Sequence, residues 1–135
     1  MLRDEIAPAL RAAGMQRAGT TYSMPSASHW ALLGFQRSTG NTAHRMKFTV
    51  NCKVVRRDAW DVAYAHKPYI GRQPKPNRFG GVGWQSRIGQ LLPSGQDTWW
   101  WLEANGESRT VADQVIAAIT QTALPAMFAE IAETA

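Results

Sequence analysis

The sequence predicts an α+β domain: a mostly antiparallel sheet of about five strands, with N- and C-terminal helices packed on one face. Three observations point there. Residues 47–54 alternate polar and apolar side chains with the period of two that a strand requires. Both ends of the chain place apolar residues at helical spacing, and nothing alternates strand with helix as parallel βαβ crossovers would. At 135 residues, without internal repeats, the chain suits one domain around one core.

The elements follow in order. Leu2, Ile6 and Leu10 recur every four residues and Gly14 follows as a left-handed cap, so the chain opens on an amphipathic helix. Pro8 lies inside that pattern, which predicts a late start near Ala7 or a bend. Thr20, Thr21 and Tyr22 suit a strand, Pro25 and Ser26 a turn, and His29 to Arg37 a second strand pairing back as a hairpin. A turn at Gly40 and Asn41 leads into the clearest strand. There Phe48, Val50, Cys52 and Val54 share one face, expected to be core, and Lys47, Thr49, Asn51 and Lys53 the other, expected to be wet.

Ala59 to Tyr64 reads as a short helical turn. His66 to Gly83 reads as a long loop, with Pro68, Pro74 and Pro76 among four glycines. Trp84 to Leu92 and Thr98 to Leu102 look like two strands of a second hairpin around Pro93, Ser94 and Gly95. Thr110 with Asp113 has the form of a capping box before Val111, Val115, Ile116 and Ile119 on one helical face. Pro125 interrupts the spacing that Met127, Phe128 and Ile131 resume, which predicts a kinked helix or two short ones.

Charge is divided along the chain. Residues 37–87 carry eleven Lys or Arg against Asp58 and Asp61, while from residue 88 onward Arg109 stands alone against six carboxylates. A positive middle attracts an anionic partner. No apolar run approaches the roughly 20 residues of a membrane span, and Asp4 and Glu5 stand where a signal peptide would be apolar, so a cytoplasmic protein without membrane insertion is expected. Cys52, the sole cysteine, has no partner for a disulfide.

Catalytic signatures are weak. His29, His44 and His66 lie at no metal-ligand spacing, so neither metal nor cofactor is expected. Cys52 reads as a small buried hydrophobe, and Gly80, Gly81 and Gly83 lack the Lys-Ser/Thr that completes a phosphate loop. Six tryptophans are many for one small core. In a strand Trp99 and Trp101 share a face and Trp100 takes the other, so an indole meets solvent or a partner unless both sheet faces are covered.

Short motifs along nearly the whole chain carry a resemblance: Pro8, Leu10 and Gly14, then Gly34-Phe35-Gln36-Arg37-Ser38, Lys47-Phe48-Thr49-Val50-Asn51, Trp84 to Leu91, and Asp97-Thr98-Trp99-Trp100. In these the chain resembles the uncharacterised bacterial domain of unknown function 4304 family. The resemblance implies an α+β domain and carries over no activity, cofactor or functional residue. Cys52 and Lys53 depart from the small residue expected there.

The favoured expectation is a non-catalytic binding protein. Its basic, Trp-bearing surface of Arg56, Arg57, Trp60, Lys67, Arg72, Lys75, Arg78 and Trp84 would engage an acidic protein partner, toxin immunity being one form. Nucleic-acid binding is the alternative. A hydrolase-type enzyme using His44 or His66 with Asp58 or Asp61 ranks third.

Overall fold

A computed structural model describes residues 2–42, 44–103, 106 and 108–135. The expected α+β architecture is present. Six antiparallel strands form one sheet: β1 (Gln16–Ala18), β2 (Thr21–Ser23), β3 (His29–Arg37), β4 (Arg45–Arg56), β5 (Trp84–Arg87) and β6 (Trp100–Glu103). The order is β1-β2-β3-β4-β5, and β6 also pairs with β4. β3 has the bounds its sequence pattern predicts, and its hairpin with β2 sets Tyr22 opposite Leu33.

The second hairpin does not form. β5 and β6 do not pair with each other; they lie end to end along one edge of β4, with Asn51–Val54 against β5 and Arg45–Phe48 against β6. Between them the chain leaves the edge after Arg87, makes the helical turn α3 (Ile88–Leu91), and returns. Across the gap the Thr49 side chain ties down the returning segment, its Oγ1 donating to the Thr98 carbonyl at 2.7 Å.

One face of this sheet carries the helices. α1 (Leu2–Ala12) runs through Pro8, and Gly14 beyond it has φ +97°, the left-handed conformation expected of the cap. Ile6 and Leu10 are buried; the side chain of Leu2 lies outside the described residues. α4 (Arg109–Ala118), a π-turn (Ile119–Ala123) and α5 (Leu124–Glu133) follow one another without a break. The π-turn ends two residues before Pro125, and the proline is accommodated within a continuous helix. That helix is long and apolar enough by length and composition to cross a membrane; here Val115, Ile119, Leu124 and Met127 lie in the core with Phe48, Val50 and Cys52. The capping box is replaced. Ser108 sits at the helix N-cap and donates to Glu5 Oε2 at 2.8 Å, while Asp113 pairs with Arg109 at 3.5 Å.

The other face, expected to be wet, is covered. Thr49 and Asn51 are fully buried and Lys53 is only 1% exposed. The short turn expected near Ala59 is a full helix, α2 (Arg57–His66), which buries Trp60. After it come a 3₁₀ turn (Pro68–Ile70) and the loop to Gly83, whose Pro74 and Pro76 are buried. The approach is close: a Cβ on Gly34 would stand 2.6 Å from Asn77 Oδ1 and 2.7 Å from Pro76 Cγ. Asn77 donates to the Phe35 carbonyl, and Asn51 donates to both Gln36 Oε1 (2.7 Å) and Asn77 Oδ1 (2.9 Å).

Candidate anion-binding site

Lys53 sits in β4 between Leu32 of β3 and Gln85 of β5, so two neighbouring strands fix its backbone and aim its side chain at the covered face. Its ammonium lies 5.8 Å from the ring of Trp60 and makes no hydrogen bond or ion pair among the described residues. Burial pushes the Lys53 amine below its ordinary value of 10.5, because a charge taken from water is stabilised only by what replaces the water.

Above Lys53 lies a cavity of about 490 Å³. Trp60, Tyr69 and Phe79 supply aromatic walls, and Lys67, Lys75 and Arg78 supply cations. No carboxylate is among its described lining residues. Tyr69 is 77% exposed and Phe79 53%, so both rings stand at the mouth. Trp60 is fixed: its indole N–H donates to the Gly71 carbonyl at 3.0 Å, tying α2 to the loop. Gly80 and Gly81 adopt positive φ, and the Gly80 N–H is held by Gln85 Oε1 at 2.8 Å, with Gln85 Nε2 on the Arg78 carbonyl. The loop therefore has its own scaffold. Such a pocket can bind an anion with an apolar or planar body.

Of the surface expected from sequence, the structure brings together Trp60, Lys67, Lys75 and Arg78 around this cavity. Arg56 is engaged elsewhere, bidentate to Asp58 and donating to the Thr134 carbonyl at 2.7 Å, which anchors the end of α5. Arg57 stacks on Trp30 at 3.8 Å and donates to the Ser26 carbonyl. Arg72 is exposed outside the cavity lining. Trp84 pairs with Val54 and packs on the helical side, across the sheet from Lys53.

Residues weighed for chemistry also have structural roles. Asp58 accepts from Arg56 and from the Ala59 N–H; chiefly that Arg56 hydrogen bond holds its carboxyl below the usual range. His66 lines the cavity with Nδ1 on the Val62 carbonyl. His29 is buried between Ser28 and Thr134. Cys52 is fully buried on the helical side, as expected, and burial pushes its thiol up to about 12. Among the tryptophans, Trp100 packs near Phe48 at 5.9 Å while Trp101 stays 45% exposed under the Arg45 guanidinium. Sequence reasoning missed Lys53, Tyr69 and Phe79 as site residues. For Lys53 a signal existed: β3 is apolar on both faces, with Trp30 and Leu32 alternating against Ala31 and Leu33, the mark of a strand covered twice.

The chain belongs to the family described as domain of unknown function (DUF4304), whose family model matches residues 6–129. No curated protein and no solved structure matches it.

Proposed function

We propose that this DUF4304 member is a non-catalytic binding protein whose Lys53 pocket receives an acidic side chain of a protein partner. One observation carries the reading. Lys53 is a buried amine without an anion among the described residues, and it opens into a cavity ringed by Lys67, Lys75 and Arg78. An entering carboxylate gives that amine an anionic partner; attraction is stronger away from water, and the surrounding cations supply the further hydrogen bonds needed to offset the carboxylate's desolvation. Trp60 and the exposed Tyr69 and Phe79 add the aromatic contacts that anchor protein interfaces. Neutralisation of an acidic toxin is one role such a surface suits.

Nucleic-acid binding is the second reading, favoured by the same exposed Tyr69 and Phe79, on which unpaired bases can stack beside cations. Titration with Glu-rich peptides bearing an aromatic residue, and with single-stranded oligonucleotides, separates the two. The protein reading expects peptide binding that Lys53→Met weakens at least tenfold and that survives moderate salt. Oligonucleotide binding that collapses steeply with salt, with no response to the peptides, would replace it with the nucleic-acid reading.

A further inference from the structure

The helical side of the sheet holds a second cavity, of about 550 Å³, between the strands and the starts of α1 and α4. This is within the range of roughly 300–1,000 Å³ common to small-molecule sites. Its floor is apolar and largely aromatic: Tyr22, Phe35, Met46 and Phe48, with Tyr22 and Phe35 edge to face at 5.7 Å. Phe35 continues the chain of rings to Phe48 at 6.2 Å.

Cations are placed at its rim by strand register. Arg17 stands opposite Tyr22 in the β1–β2 pair, and Arg37 opposite Phe48 in the β3–β4 pair. Directly paired residues share a face, so both arginines project on the side of the aromatic floor. Arg37 makes no hydrogen bond or ion pair among the described residues. Arg17 uses its Nε on the Gly19 carbonyl at 2.9 Å, which orients the guanidinium and leaves its terminal nitrogens unpartnered among those residues. The acidic residue in the described lining, Glu103, is already neutralised by Arg45 at 2.8 Å.

From this pairing of an apolar floor with two arginines that have no anionic partner among the described residues, we propose that the groove binds an amphipathic monocarboxylate. Its hydrocarbon body lies on Phe35, Met46 and Phe48, and its carboxylate meets Arg17 and Arg37. The proposal is independent of the Lys53 pocket, which opens on the other face.

The test uses the full chain, titrated by calorimetry with dodecanoate below its micellar concentration and with dodecanol as the uncharged counterpart. The expected result is saturable one-to-one binding of dodecanoate, at least tenfold tighter than dodecanol. The double variant Arg17→Glu/Arg37→Glu should lose that preference, keep the weak dodecanol binding and retain the wild-type Tm. If the double variant does not fold, Arg37→Gln alone should weaken dodecanoate severalfold. Absence of saturable binding, equal affinity for acid and alcohol, or dodecanoate binding lost in Lys53→Met but kept in the arginine variants would each overturn the proposal.

Discussion

On one side of β4, Phe48, Val50, Cys52 and Val54 meet apolar side chains of α4 and α5; on the other, Thr49, Asn51 and Lys53 are buried as deeply beneath a loop. Depth is equal but chemistry is not. The helical side is stabilised by non-directional burial, roughly 1.5–3 kcal/mol for each large apolar side chain. The loop side depends on particular hydrogen bonds, and among the described residues it leaves some groups unmatched: the amine of Lys53 and Asn51 Oδ1. A stable core on one face lets the other bury polar groups.

The contrast is broken most severely from the apolar side. Leu33→Ala, at a fully buried position, should cost about 2–5 kcal/mol in denaturant unfolding while leaving Lys53-dependent peptide binding intact under native conditions. Next in size, Gly34→Ala sets a methyl group against Pro76 and Asn77. The expected loss is about 1–3 kcal/mol. It should come with faster proteolysis within residues 67–83, and unchanged protection of that loop would show that it does not lean on Gly34.

Two adjacent residues on opposite faces sharpen the comparison through pH. Folded Cys52 keeps its proton up to about 12 whereas the unfolded thiol ionises from 9.0, so stability should fall as pH climbs between those values, by about 1.4 kcal/mol per pH unit. Cys52→Ala should lack that slope. Lys53 has the opposite sign. Its folded amine releases the proton below 10.5, so the unfolded state binds more protons in that range, and stability rises with pH from the folded value up to 10.5. Lys53→Met should remove this rise. At neutral pH it should also stabilise the protein, on the order of 1 kcal/mol, because an unpaired buried cation is replaced by a thioether. A destabilised Lys53→Met would mean that the amine has a structural partner.

Local signals were legible and covering ones were not. β3 and Gly14 announce themselves because their rules are local: β-rich alternation, and a residue that tolerates positive φ. Lys53 read as wet because period-two alternation tells which residues share a face, not what lies above it. Its cover, residues 67–83, has no periodicity to betray it. The broken edge strand misled for a related reason. Two strand-like runs around a Pro-Ser-Gly turn satisfy the hairpin pattern, and only their shared partner β4 decides otherwise. Of the site, the sequence marked Trp60 and the loop cations, but not the lysine beneath them.

The π-turn has a consequence for chain length. Buried Ile119, Ala123 and Met127 are spaced by four, a step that drifts about 40° around an ordinary α-helix. The wider turn at Ile119–Ala123 absorbs part of that drift. Removing one residue there would let the segment wind as an α-helix, and the rotation lost with the residue is nearly regained by the tighter winding, so Leu124 and Met127 would keep their facing toward the sheet. A one-residue insertion has no such remedy and would rotate everything beyond it by about 100°, so this segment should tolerate a single deletion far better than a single insertion.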